Sequence, residues 1–291
     1  MKILVFGSLN YDNIYRTEHF VCPKETQTAD SYSRGFGGKG CNQAIALAKA
    51  GLPVFFAGQV GFDGDPFRRY LQENGIHTDD LKQDASEATG HAIIEISGGQ
   101  NRILLYGGAN RTVSREQVDR TLEHFEPGDV LVLQNEISEI PYILRRAKER
   151  GLRTFLNAAP ADRTLDLESL ALADILCVNE VEGQFLAGTA AADPEPVLCA
   201  LQEKYPETQI LLTAGEQGSY YRFREQTVHV PAVRVNAVDT TGAGDTYSGF
   251  FLAGLCRGES VEDAMRLGAA AAAIEVQTVG AADAMPTLEE A

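Results

Sequence analysis

Short apolar runs of the kind that form buried strands alternate with helical patterns along nearly the whole chain. Lys2–Gly7 reads as a strand covered on both faces, Cys41–Ala50 as a helix and Val54–Val60 as the next strand. Pro66–Asn74 reads as a helix whose proline falls in the first turn, where a missing N–H is tolerated. Ser114 followed by Gln117 predicts a capping box ahead of a helix to about Phe125. Strands follow at Asp129–Leu133, Arg153–Leu156, Ile175–Val178 and Gln209–Thr213, with helices at Ile140–Arg150 and Val181–Leu186. The pair Ser219–Phe223 and Thr227–Val230 precedes two long helices, Ala243–Cys256 and Val261–Val276. This alternation predicts an α/β fold of three layers, a mostly parallel central sheet flanked by helices on both faces.

Two stretches break the pattern. Residues about 12–36 and about 89–107 lack helical periodicity and carry short alternating runs. Gly90–Ser97 and Arg102–Tyr106, joined by Gly98-Gly99-Gln100-Asn101, predict a hairpin. Its Ile93, Ile94, Ile96, Ile103, Leu104, Leu105 and Tyr106 fall on both faces, so one face is expected over a substrate and the other against a second chain. The expectation is a single domain over residues 1–291 with a small β lid.

Composition narrows the partners. The formal charge is −16, which repels a nucleic-acid backbone and disfavours an anionic membrane surface. No run approaches a membrane span, and the N-terminal apolar run is too short for a signal peptide. Five scattered cysteines without a C-x-x-C pair read as reduced thiols, so a cytoplasmic protein is expected. The five histidines form no metal-binding cluster.

The most informative stretch is Asp239-Thr-Thr-Gly-Ala-Gly-Asp245-Thr, followed directly by an apolar helix. Gly242 and Gly244 leave bare N–H groups at a helix N-terminus, which makes an anion site. Asp245, in the first turn, can take a proton from a hydroxyl attacking a phosphoryl group; the plain alternative is a favourable first-turn acid. A second stretch, Gly35-Phe-Gly-Gly-Lys39-Gly-Cys-Asn42-Gln, lacks the Ser/Thr of a Walker A loop. Its Gly35, Gly37 and Gly40, with Asp63 further on, fit a dinucleotide fingerprint and hence an oxidoreductase, although the run before them is polar for a buried strand. Asn10 and Asp12 follow the first strand, where open α/β sheets bind ligands. Asn179 and Glu182 suit a hydrated Mg²⁺, and Thr213-Ala-Gly215-Glu-Gln-Gly218 offers a backbone bed for a nucleotide; a cap and a turn are their plain alternatives.

Together these residues resemble the ribokinase-like carbohydrate kinases. The likeness covers essentially the whole chain, from Gly7-Ser-Leu-Asn-Tyr-Asp12 to Gly280-Ala281, and rests on Gly37-Gly-Lys-Gly-Cys-Asn-Gln43 with Asp239-Thr-Thr-Gly-Ala-Gly-Asp245. Gly90-His-Ala92, Gly108-Ala-Asn110, Gln134-Asn-Glu136 and Asn157-Ala-Ala-Pro160 add to it and place the chain nearest the family's ribose-phosphorylating members. The resemblance implies an ATP-dependent kinase transferring the γ-phosphate to O5 of D-ribose. Another furanose or a nucleoside is the alternative, and a catalytically idle sugar-binding regulator a further one. It implies sugar contacts from Asn10, Asp12, Gly38, Lys39, Asn42, Ala92, Glu136 and Asp245, with Asp245 as base and the amides of Gly242, Ala243 and Gly244 around the transferred group. ATP would be lined by Asn179, Glu182, Thr213, Gly215, Gly218 and Gly244, with Glu182 holding Mg²⁺ through water. A monovalent cation, K⁺, would sit among Asp239, Thr241, Glu275, Thr278 and Gly280. A homodimer through the lid is expected from the doubly apolar ribbon Ile93–Tyr106. The chain departs from the family pattern at Lys24 and Pro66, where glycines are usual, and at Thr278 and Ala284, where Arg and Ser are usual.

Overall fold

The computed structural model describes residues 1–162 and 165–291. Numbered along the chain, the strands are β1 (Ile3–Phe6), β2 (Asn10–Arg16), β3 (Ser31–Gly37), β4 (Val54–Val60), β5 (Leu81–Gln83), β6 (Gly90–Ser97), β7 (Gln100–Tyr106), β8 (Val130–Gln134), β9 (Arg153–Asn157), β10 (Ile175–Asn179), β11 (Gln209–Thr213), β12 (Ser219–Phe223) and β13 (Gln226–Val230). The helices are α1 (Lys39–Lys49), α2 (Asp65–Glu73), α3 (Arg115–Leu122), α4 (Ile140–Glu149), α5 (Glu180–Ala187), α6 (Pro194–Lys204), α7 (Ala243–Cys256) and α8 (Val261–Glu275).

Every residue of β1 and β8 is buried, as continuous apolar runs require when helices cover both faces of a parallel sheet. The main sheet has nine strands in the order β13-β12-β11-β10-β9-β8-β1-β4-β5, parallel except for the antiparallel β11-β12-β13 end. Alternate residues feed two cores. Ile3 and Val5 pack with Ile45, Phe250 and Met265 on the α1, α7 and α8 face; Leu4 and Phe6 pack with Val118, Leu144 and Leu198 on the α3, α4 and α6 face. The chain runs from β1 toward β4 and returns to β8 on the other side. The carboxyl ends of β1 and β8 therefore flank a switch point, where such sheets open a crevice.

The lid is a separate sheet in the order β3-β2-β6-β7, with β2 parallel to β6. Its hairpin turn is two residues long, not four. Ser97 pairs with Gln100, and Gly98 and Gly99 both take positive φ, 56° and 75°, as a type I′ turn demands. The capping box expected at Ser114 is half formed: Ser114 accepts the Gln117 N–H, but the Gln117 side chain donates to the Gly58 carbonyl instead. The complete box is Asn179–Glu182 at the start of α5. Lys24 is held at φ 72°, which accounts for the usual glycine at that turn.

Candidate active site

Four strand ends lie along the carboxyl edge of the sheet, Gln134 paired with Asn157 and, two residues further on, Asn179 paired with Thr213. Asn157, Asn179 and Thr213 floor a cavity of about 420 Å³ whose other wall is Thr240, Gly242, Gly244 and Asp245 at the start of α7. Gly242 caps that helix at φ 93° with no side-chain cap. The Ala243 N–H makes only a 3.3 Å bond to Thr240 O, and a Cβ at Gly244 would meet nothing within 4 Å. The helix N-terminus thus opens on the cavity and supplies partial positive charge there.

Asp245 is buried at this end of the cavity and accepts two amides, Asn42 Nδ2 on Oδ2 at 3.0 Å and Gln43 Nε2 on Oδ1 at 2.9 Å. Gln43 in turn accepts Gln134 Nε2 at 2.8 Å. Lys39 also lines the cavity. Burial works against its ammonium, but Asp245, Glu136 and Glu182 outweigh that and raise its pKa above the ordinary lysine range. Glu182 is buried on the opposite wall, its carboxyl raised by burial although Asn179 N–H and Lys39 pull the other way.

A second group gathers at the switch point beneath the lid. Glu136 accepts the Ser8 hydroxyl and the Lys39 N–H, the latter at 3.0 Å, tying the end of β8 to that of β1 and to α1. Asn110 donates to Asn10 Oδ1 at 2.8 Å and brackets Leu9 with both ends of its amide. Asp12 faces Gly37 so closely that a Cβ there would stand 2.1 Å from its Oδ2. Burial, and then Glu136, push the Asp12 carboxyl up to about 6. Asn10 and Asp12 follow β1 at the start of lid strand β2, and Asp12 pairs with Ala92 across β2 and β6.

Among the expected nucleotide contacts, Asn179, Glu182, Thr213, Gly215 and Gly244 line the cavity. Gly218 does not: a Cβ there would stand 2.1 Å from Val230 O, so it closes the turn into β12 against β13. Among the expected cation ligands, Asp239 accepts the N–H groups of Thr241 at 3.0 Å and Gly280 at 3.1 Å, which fixes the two loops together. Glu275 is fully buried with both carboxylate oxygens unpartnered, and burial together with Asp239 and Asp245 pushes it up to about 8. Thr278 is exposed, and its N–H bonds to Glu275 O. The dinucleotide reading fails on position. Gly35 and Gly37 lie in lid strand β3, so no core strand leads into the glycines, and Asp63 is held by the Thr89 N–H at 2.8 Å.

Four residues at the site were not singled out by sequence: Ser8, Gln43, Gln134 and Asn110. Each sits inside a quoted segment, so position in a motif was the available signal.

Residues 1–288 match the family model described as pfkB family carbohydrate kinase. A ribokinase of Haemophilus influenzae is 34% identical over 296 residues, covering 99% of this chain and 96% of that one. A deoxyribokinase of Salmonella typhi is also 34% identical, over 297 residues, covering 100% and 97%. The structure of an Arabidopsis thaliana ribokinase complexed with ribose and ATP superposes with a TM-score of 0.88 at 29% identity, covering 99% and 96%. The central sheet with its flanking helices and separate lid is thus shared with that Arabidopsis structure over 99% of this chain.

Proposed function

The chain belongs to the pfkB family of carbohydrate kinases, and on that premise we propose that it transfers the γ-phosphate of ATP to O5 of D-ribose. The observation that carries the reading is the placement of Asp245, buried beside the uncapped α7 N-terminus and bonded to Asn42 on the side of the lid. The sugar lies between the lid and the switch point, against Asn10, Asp12, Gly38, Lys39, Asn42, Ala92 and Glu136. Asn42 Oδ1 is buried without a partner, and a sugar hydroxyl would satisfy it. ATP occupies the cavity with its γ-phosphoryl group toward Gly242–Gly244. Asp245 accepts the O5 proton as the oxygen attacks, while the α7 amides and Lys39 meet the charge that spreads over the phosphoryl oxygens. The lid excludes water, which would otherwise compete as acceptor.

The donor set fits Mg²⁺ arriving with ATP. Glu182 and Asn179 offer one carboxylate and one amide, and no group of three acidic, histidine or cysteine ligands exists among the described residues. Such a site holds an ion that keeps its waters and its phosphates. A monovalent cation fits beside Glu275 and Asp239, since a buried carboxylate without a partner is costly and a cation relieves it. Carbonyl ligands of this loop are indifferent to Thr278, whereas Ala284 supplies no side-chain oxygen. Five unpaired cysteines fit a reducing compartment, and we place the protein in the cytoplasm.

The test is ADP release with D-ribose, 2-deoxyribose, fructose and adenosine, with and without Mg²⁺, and with K⁺ replaced by a large organic cation. Fastest release with ribose, collapse without Mg²⁺ and a slower rate without K⁺ are expected. Preference for deoxyribose or a nucleoside overturns the ribose assignment, and identical rates in the organic cation overturn the K⁺ site.

A further inference from the structure

The charge on Asp245 dictates the orientation of two amides behind it. A carboxylate oxygen accepts only donors, so Gln43 must turn its NH₂ to Asp245 Oδ1, at 2.9 Å, and its carbonyl oxygen away. That oxygen then requires a donor, and Gln134 Nε2 supplies it at 2.8 Å. Gln43 is 1% exposed and Gln134 fully buried, so neither competes with water. Backbone packing makes the room. A Cβ at Gly7 would stand 2.6 Å from Gln134 Oε1, and one at Gly249 would stand 2.4 Å from Ala46 Cβ, so α1 and α7 approach closely enough for Gln43 to span them.

The two amides on Asp245 are not equivalent. Asn42 keeps a free, buried Oδ1 and lies on the sugar side, whereas Gln43 has both ends committed within the protein. We propose that Gln43, oriented by Gln134, is the positioning residue for Asp245: it holds the carboxylate rotamer that leaves the remaining lone pairs facing the cavity. A base turned by a few tens of degrees no longer meets the attacking hydroxyl, so the effect falls on turnover rather than on binding. The inference rests on the reading of Asp245 as the base.

The experiment measures kcat and the KM values for D-ribose and ATP in Gln43→Leu, Gln134→Leu, the double variant and Asp245→Asn, each checked for folding by its thermal unfolding. Losing a hydrogen bond to a charged group predicts a kcat for Gln43→Leu lower by about 10- to 100-fold, with both KM values within about threefold. Gln134→Leu loses less, about 3- to 10-fold, because Asp245 still orients the Gln43 amide. The double variant is no slower than Gln43→Leu alone, since Gln134 acts only through Gln43. Multiplying losses overturn the relay, because independent packing defects multiply. An unchanged kcat in Gln43→Leu with an inactive Asp245→Asn overturns the inference and leaves the base reading standing. An active Asp245→Asn overturns the base reading itself. Should Gln43→Leu not fold, Gln43→Met keeps the length of the side chain but donates nothing to Asp245, and an unchanged kcat there overturns the proposal equally.

Discussion

Asp245 accepts two amides yet still lines the cavity, so the proposed base is fixed in place and still open to a substrate. Asp245→Asn keeps the shape and removes the basicity; kcat is expected to fall by about two to four orders of magnitude, with the ribose KM little changed. Steady-state kinetics on the folded variant checks this, and a near-normal kcat removes Asp245 from catalysis. Asp12 carries a different dependence. Its carboxyl, raised to about 6 by burial and by Glu136, offers both oxygens as acceptors to the proposed sugar hydroxyls only when ionised. As pH falls through about 6 it gains a proton and loses acceptor capacity. The ribose kcat/KM at saturating Mg·ATP should therefore decline toward acid, approaching tenfold per pH unit, and Asp12→Asn should flatten that limb. A limb that survives in Asp12→Asn belongs to another group. Asp245, Lys39, Asn42 and Glu136 were legible because each stands inside a short motif whose chemistry has few readings. Gln43 stands beside Asn42 in the same motif, but its partner lies 202 positions away, and one segment does not reveal what its helix face meets. Gly218 stands outside the cavity lining, and a glycine that closes a turn leaves the same mark in sequence as one that beds a phosphate.

Helices α1 and α7 bring the two signatures together, and their closeness depends on a missing side chain. Gly249 faces Ala46 across the helix pair, and a Cβ 2.4 Å from Ala46 Cβ forces the helices apart, because neither methyl can rotate away. Gly249→Ala should cost about 1–3 kcal/mol of stability, the range for overpacking. It should also lower kcat through displaced Asp245, more than a surface alanine substitution on α8 does. Chemical denaturation paired with kinetics decides, and full stability with full activity sinks this account of the contact. Elements with an unbroken apolar run, such as β1, β8 and β11, were read correctly because burial on both faces leaves no other pattern. Helix α6 was not read: Pro194 and Pro196 obscure a start that its N-cap Asp193 makes regular, and Val197, Leu198 and Leu201 form its buried stripe. Strand β5 has three residues, too few for a period to register, and is held by its parallel pairing with β4. The lid hairpin was found, but its turn was set two residues too long, because Gln100 and Asn101 look like turn residues until both glycines are seen to supply the positive φ values.

At the scale of the molecule, the lid leaves apolar surface that one chain does not cover. Directly paired residues share a face of an antiparallel ladder, so Leu105 and Ile103 lie with Asp12 and Ala92 on one side, and Ile93, Leu104 and Tyr106 on the other. β7 is exposed along its whole length, Ile103 at 62% and Leu104 at 69%, and it is an edge strand with unpaired backbone groups. A sugar bound as proposed would cover part of the first face and none of the second. The charge of −16 opposes self-association, but beyond about 8 Å salt screens it at physiological strength, and desolvation of the ribbon acts at contact. A second copy of the chain presents the same ribbon, which an isologous twofold contact requires. The protein is therefore expected to sediment as a homodimer. Leu104→Asp together with Ile93→Asp, on the face away from Asp12, should give monomers that retain the fold, because both side chains are exposed in the single chain. The monomer should bind ribose more weakly, since a lid without its partner closes less firmly over the site. Sedimentation velocity from about one to about one hundred micromolar reads the first outcome and the ribose KM reads the second. A wild-type chain that stays monomeric across that range overturns the dimer, and dimers that survive both aspartates move the contact to another surface.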